Sequence, residues 1–217
     1  MKKGIIFDLD GVIVDTAKYH YLAWKKMAAQ FGYDFTEEEN EAFKGVSRIR
    51  CMELLLEMAQ VEASQKQINE WLFQKNQDYL AYIEQMDQEE ILPGVLKALS
   101  FFKSRQIPTA LGSASKNARP ILEKVGLLSY FDAVVDGNDV SAAKPDPEVF
   151  LVAARQLGVT PEQCVVFEDS TAGIEAAQRA KMGTVGIGHT DSLGKADVVF
   201  AQFTDMDETF LNGLLTA

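Results

Sequence analysis

The apolar run Ile5-Ile6-Phe7 stops at Asp8-Leu9-Asp10-Gly11-Val12, so two carboxylates and a glycine follow directly on a segment with the character of a buried strand. A carboxylate in that place can attack phosphorus and carry a phosphoryl group, while a second one exchanges protons with the attacking or leaving oxygen. Other polar groups stand in comparable places. Ser113-Ala114-Ser115-Lys116-Asn117 follows the run Thr109-Ala110-Leu111, Lys144-Pro145 ends a loop ahead of a helix, and Glu168-Asp169-Ser170 follows Cys164-Val165-Val166-Phe167. Each alone has a plain structural explanation as a turn, a helix cap or a solvated lysine. Their joint placement points to one site.

Carboxylates from two strand ends suit a hard divalent cation. Mg2+ takes oxygen ligands and keeps coordination positions for water and phosphate, with Asp8, Glu168 and Asp169 as the side-chain candidates. A cation would also offset the repulsion between Asp8 and a phosphate dianion. Ser113 and Ser115 precede a segment expected to be helical from about Asn117 to Val125, whose exposed N–H groups favour an anion. Lys116 or Lys144 supplies the point charge that neutralises equatorial oxygens in phosphoryl transfer.

These groups need a scaffold. Short apolar runs at 109–111, 133–135, 164–167, 184–187 and 197–200, with helices between them, indicate a parallel sheet covered on both faces. In such sheets ligands bind beyond the carboxyl ends of the strands, where the polar groups above fall. Residues 16 to 86 read as almost entirely helical: Thr36/Glu39 and Ser64/Gln67 have capping-box spacing, and Ile68, Trp71, Leu72, Tyr79, Tyr82, Ile83 and Met86 recur at helical intervals. Those apolar positions are read as a helix-packing face. The expected fold is α/β, a Rossmann-like parallel sheet core formed by residues 1–14 and 87–217 with an all-helical insertion over 15–86.

The bulk numbers exclude several functions. With 217 residues, 47% hydrophobic and 24% charged, the chain suits one large domain or one domain with an insertion. No apolar run approaches the roughly 20 residues of a membrane span, and Met1-Lys2-Lys3 leads into a short strand, so a cytoplasmic protein is expected. Cys51 and Cys164 stand far apart and suggest neither a disulfide framework nor a zinc site. A net charge of −11 with no basic stretch argues against nucleic acid. Two histidines, separate from any serine motif, argue against a Ser-His-Asp hydrolase.

Asp8-Leu9-Asp10-Gly11-Val12, Ser113, Lys144 and Glu168-Asp169 resemble the four ordered motifs of haloacid dehalogenase-type phosphotransferases, and the helical insertion resembles their cap domain. Within that superfamily, Thr16, His20, Trp24, the segment Lys44-Gly45-Val46-Ser47-Arg48, and Ser113-Ala114-Ser115-Lys116-Asn117 are most similar to the β-phosphoglucomutase family. The resemblance implies an aspartyl-phosphate at Asp8, acid–base work by Asp10, and Mg2+ held by Asp8, the Asp10 carbonyl, Glu168 and Asp169. It implies that Ser113, Ala114 and Lys144 contact the transferring phosphoryl group. Arg48, Ser115, Lys116 and Asn117 would grip the phosphate that is not reacting, a task suited to a guanidinium fork. His20 and Lys75 would fall near the closed site. The implied substrate is a phosphorylated hexose, with β-D-glucose 1-phosphate and glucose 6-phosphate interconverted through glucose 1,6-bisphosphate by a monomer that binds neither nucleic acid nor membrane. Cys51 departs from the pattern, since a small hydroxyl residue is expected there, and this bears on sugar contacts more than on chemistry. A sugar-phosphate phosphatase and a catalytically inert protein on the same fold are the alternatives.

Overall fold

The structure is a computed structural model that describes residues 3–43 and 46–216. Six parallel strands, β1 (Gly4–Phe7), β2 (Thr109–Gly112), β3 (Ala133–Val135), β4 (Cys164–Glu168), β5 (Gly183–Ile187) and β6 (Val198–Phe200), form one sheet in the order β3-β2-β1-β4-β5-β6. The helices in chain order are α1 (Ala17–Ala29), α2 (Glu37–Glu41), α3 (Arg48–Ala59), α4 (Gln65–Ile83), α5 (Val95–Ser104), α6 (Ala118–Lys124), α7 (Glu148–Leu157), α8 (Thr171–Arg179), α9 (Thr190–Leu193) and α10 (Glu208–Thr216). None is long and apolar enough to cross a membrane among the described residues.

β1 lies at the centre of the sheet and buries every side chain, as the continuous apolar run requires of a strand covered on both faces. Its alternation divides the core. Ile5 and Phe7 pack with α5 and α6 residues such as Phe102 and Leu122, whereas Ile6 packs on the opposite face with Phe150, Ala153 and Val166. Phe7 stacks on Phe167 at 4.9 Å between ring centroids, and Phe167 stacks on Phe203 at 5.4 Å. Gly112 is required at the end of β2, because a Cβ there would lie 2.9 Å from the Phe150 ring.

Register brings the reactive loops to one edge. Phe7 pairs with Leu111 on one side and with Phe167 on the other, so Asp8, Ser113 and Glu168 leave the sheet at nearly the same level. The Asp8 N–H donates to the Phe167 carbonyl at 2.9 Å, and the Ser113 N–H to the Val135 carbonyl at 3.0 Å.

The insertion is helical, α1 to α4, with a cluster of its own in which Trp24, Met27, Phe35, Met52 and Leu55 are buried, while Ala23, Tyr79 and Ile83 pack into the cluster that covers one face of the sheet. Both predicted capping boxes are present, at Thr36/Glu39 before α2 and at Ser64/Gln67 before α4. The two passages joining it to the sheet run side by side. Val14 and Ile91 form an antiparallel bridge, the Asp15 N–H donates to Glu90 O at 3.0 Å, and the Leu92 N–H to Ile13 O at 3.0 Å. Glu90 also accepts from Lys18 at 2.8 Å and from the Tyr19 hydroxyl at 2.6 Å.

Candidate active site

Asp8 and Glu168 are buried at the ends of neighbouring strands, and the Lys144 ammonium sits between them, 2.6 Å from Asp8 Oδ1 and 2.6 Å from Glu168 Oε1. The loop that delivers Lys144 is braced at both ends. On one side the Glu148 carboxylate accepts from the Ser141 N–H at 2.8 Å, the Ser141 hydroxyl at 2.9 Å and the Ala142 N–H at 2.8 Å; on the other Arg179 donates to Pro145 O at 3.2 Å. The second Glu168 oxygen accepts from the Ser170 N–H at 2.7 Å and its hydroxyl at 2.9 Å.

Carboxylate oxygens of Asp8, Glu168 and Asp169 all lie within 4.8 Å of one another. Three hard anionic donors converging from two strand ends suit a hard divalent cation far better than a soft one. Two glycines leave room for this set. A Cβ on Gly11, whose φ is +75°, would lie 2.0 Å from Asp169 Oδ2, and a Cβ on Gly173 would lie 1.8 Å from Glu168 Oε1.

The electrostatics follow from burial. Without a cation, desolvation pushes the Asp8 carboxyl up to about 7 against the pull of Lys144, and the charges of Glu168 and Asp10 push the same way. Burial by itself would lower the pKa of Lys144, yet the Asp8 and Glu168 carboxylates outweigh it and hold the ammonium charged. The Asp10 carboxyl is also raised, chiefly by burial, while its hydrogen bond from Thr16 opposes the shift.

A cavity of about 750 Å³ opens between sheet and insertion, within the range of small-molecule sites. It is lined from the sheet side by Asp8, Asp10, Ala114, Ser115, Lys116, Asn117, Lys144 and Asp169. From the insertion side come Thr16, His20, Trp24, Val46, Ser47, Arg48, Cys51 and Lys75. Ser113 is fully buried and outside this lining; its hydroxyl accepts the Ser115 N–H at 3.1 Å and so shapes the loop. Ser47 caps α3 by accepting from the Arg50 N–H at 3.3 Å. Lys44 and Gly45 lie outside the described residues. The helix after the serine loop has seven residues, and the Asn117 N–H at its start is taken by the Ser115 hydroxyl at 3.2 Å, so the loop is partly self-satisfied. Insertion and loop touch directly: Asn117 Nδ2 donates to Asn76 Oδ1 at 3.1 Å.

Lys75 is buried over Trp24, with its ammonium 4.5 Å from the ring centroid and 3.1 Å from His20 Nδ1. His20 Nε2 lies 4.0 Å from Asp10 Oδ1, and burial, then the charges of Lys75 and Arg48, push the imidazole well below its ordinary value. Cys51 is held as a neutral thiol, pushed up to about 12 by desolvation, with weak contacts of 3.7 Å to the Phe43 and Val46 carbonyls. Arg48 pairs with no carboxylate among the described residues, whereas its neighbour Arg50 is engaged by Glu53 at 2.9 Å and Glu57 at 3.3 Å.

Burial, then the charge of Arg48, depresses Lys75 from 10.5 to about 7. The unfolded chain keeps this proton to its ordinary value while the folded chain releases it near 7, so stability from this group rises with pH across that window. Below it the cost of a desolvated ammonium is fully present. Lys75→Met therefore gains more stability over the parent protein at about pH 6 than at about pH 9 in urea denaturation. A difference independent of pH would contradict a desolvated ammonium.

Asn40, Phe43, Asn76 and Tyr79 are among the site residues that the sequence does not reveal. Asn40 sits in an acidic helix that reads as surface. Tyr79 belongs to the apolar stripe of α4 and also faces the cavity.

A family model described as haloacid dehalogenase-like hydrolase matches residues 2–181. The chain is 40% identical over 206 residues to a β-phosphoglucomutase of Bacillus subtilis strain 168, covering 94% of this chain and 91% of that protein. It is 32% identical over 197 residues to a phosphorylated carbohydrates phosphatase of Thermotoga maritima, covering 89% of each. A crystal structure of β-phosphoglucomutase from Clostridium difficile aligns with a TM-score of 0.94 at 37% identity, over 100% of this chain and 98% of that one.

Proposed function

Because the chain belongs to the haloacid dehalogenase-like hydrolase family, we propose that it is a β-phosphoglucomutase, interconverting β-D-glucose 1-phosphate and glucose 6-phosphate through glucose 1,6-bisphosphate. The observation that carries this reading is the pair of separate cationic groups in one cavity: Lys144 beside Asp8, and Arg48 on the insertion, left without a carboxylate partner among the described residues. A bisphosphate needs both. A phosphatase needs only the first.

Asp8 attacks the phosphorus of the bound donor, and the ester oxygen leaves with a proton from Asp10. In the reverse sense Asp10 takes the proton of a sugar hydroxyl as its oxygen bonds to the phosphorus of phospho-Asp8, and the Asp8–phosphorus bond breaks. The bisphosphate then turns end for end, Arg48 holding whichever phosphate is not reacting, with Ser115, Lys116 and Asn117 on the opposite wall. Lys144 balances charge on the transferring group, and Ser113 fixes the loop around it. Mg2+ is the cation we assign to the Asp8, Glu168 and Asp169 oxygens with the Asp10 carbonyl; when bound it supplies Lewis-acid charge neutralisation. Thr16, His20 and Lys75 hold Asp10 in a site from which the closed insertion excludes water. We assign the insertion the part of a cap over residues 15–86, and the protein the cytoplasm, where it acts as a monomer on a phosphorylated hexose. Its two cysteines are free and buried, as suits a reducing compartment.

The test follows glucose 6-phosphate and free phosphate separately after β-glucose 1-phosphate, glucose 1,6-bisphosphate and Mg2+ are supplied. Isomerised sugar in large excess over phosphate is the expected result, and phosphate without isomerised sugar would make the protein a phosphatase. Arg48→Ala is expected to lower mutase turnover about 100-fold while phosphoenzyme formation from acetyl phosphate falls much less. Unchanged mutase turnover would put the second anion site elsewhere. The phosphatase reading draws its support from the Thermotoga relative and from Cys51, a weak hydrogen-bonding group where a sugar mutase is expected to place a hydroxyl.

A further inference from the structure

The loop Ser115-Lys116-Asn117 is held by a second turn, the one that follows β3. The Gly137 N–H donates to the Ser115 carbonyl at 3.2 Å, and Asn138 Nδ2 donates to the Lys116 carbonyl at 3.0 Å. A carbonyl oxygen is an acceptor only and repels an anion, so engaging these two in the turn leaves the hydroxyl, ammonium and carboxamide of the loop for the cavity. The fit is close. A Cβ on Gly137 would lie 2.5 Å from the Ala114 carbonyl oxygen.

That turn is itself organised by two carboxylates. The buried Asp136 accepts from the Asn138 N–H at 2.8 Å, and Asp139 accepts from the Asp136 N–H at 2.9 Å. Arg119, in the first turn of α6, spans both: its Nε stands 3.5 Å from Asp136 Oδ2, a terminal nitrogen stands 3.4 Å from Asp139 Oδ2, and it also donates to the Val134 carbonyl. A planar fork that reaches three acceptors in fixed directions suits arginine rather than lysine. Half-exposed ion pairs add little stability, and Arg119 is outside the cavity lining. Its place in the chain gives it another use. It joins the helix that continues the serine loop to the turn that leads into Lys144, so one side chain sets the two cation-bearing loops against each other.

We propose that Arg119 is a positioning residue for the second anion site: through Asp136, Asp139 and Asn138 it fixes the backbone of Ser115-Lys116-Asn117, and with it the grip on the phosphate that is not reacting. This rests on the proposed function and deepens it. Arg119 touches neither the substrate nor the reacting atoms, which distinguishes it from Arg48 on the facing wall.

The experiment uses the full chain, Arg119→Met, Asn138→Ala and the double variant, with β-glucose 1-phosphate at saturating glucose 1,6-bisphosphate, and acetyl phosphate as a phosphoryl donor that carries no second anion. Asn138 is exposed, so its replacement guards against a misfolded Arg119→Met. In Arg119→Met the KM for β-glucose 1-phosphate is expected to rise about 10-fold with kcat within about threefold of the parent, while Asp8 phosphorylation from acetyl phosphate is unchanged. Asn138→Ala should raise the same KM about threefold, and the double variant should fall short of the product of the two, since both act through one turn. A KM that stays at the parent value in Arg119→Met, equal losses on acetyl phosphate, or a double variant whose effects multiply overturns the positioning role alone. If the parent protein releases phosphate from hexose phosphates without isomerising them, the proposed function falls and the positioning role with it.

Discussion

Asp8→Asn is expected to lose about 10⁵-fold or more in turnover, the largest effect of any single change in this protein, because it removes the atom that becomes esterified. The carboxamide is nearly isosteric and can still accept from the Lys144 ammonium, which stands 2.6 Å from Asp8 and equally close to Glu168. The fold should therefore survive, and loss of activity would report chemistry. Rapid acid quenching after acetyl phosphate, followed by mass spectrometry of the peptide containing residue 8, should find the mass of a phosphoryl group in the parent protein and none in the variant. Turnover within about tenfold of the parent would mean that another group carries the phosphoryl.

Asp10→Asn should cost about 10² to 10⁴-fold on hexose phosphates, the range of a general acid–base contribution. Thr16 can keep its hydrogen bond to the new carboxamide, so geometry is preserved while proton transfer is lost. Burial raises the Asp10 pKa, which makes the carboxyl a stronger base when ionised and more available as an acid near neutral pH. The sharper measurement compares leaving groups. A hexose oxygen needs a proton as it departs and acetate does not, so the variant should phosphorylate itself from acetyl phosphate far faster, relative to the parent, than from glucose 1,6-bisphosphate. Equal losses on both donors would remove Asp10 from proton transfer.

The sheet was legible because its signals are local. Each short apolar run became a strand, with ends shifted by at most a residue or so, and the polar residues after Phe7 and Phe167 emerge together because those two phenylalanines are register partners. The capping boxes at Thr36 and Ser64 were equally readable, since Ser or Thr followed three residues later by Glu or Gln states its own geometry. What escaped was information held between segments distant in sequence. Nothing around Asn40 distinguishes it from a solvent-facing residue of an acidic helix, yet the fold buries it. Gly173 looks like an ordinary helix interior until Glu168 is seen filling the space of its missing side chain. Ser113 reads as a phosphate ligand from its position, and only the structure shows that its hydroxyl also accepts the Ser115 N–H and so shapes the loop. The depressed Lys75 is another such case, because its pKa depends on Arg48 and on burial that only packing creates.

The entry and exit of the helical insertion meet as partners in one antiparallel bridge, Val14 with Ile91, so its two attachment points are about 5 Å apart. A hairpin turn of a few residues spans that gap. The insertion is thus joined to the sheet at a single narrow point, and helical modules of other shapes that keep the packing of Ala23, Tyr79 and Ile83 could be grafted at the same two residues. Such a junction lets substrate choice diverge among descendants while the phosphorus chemistry below it is inherited intact.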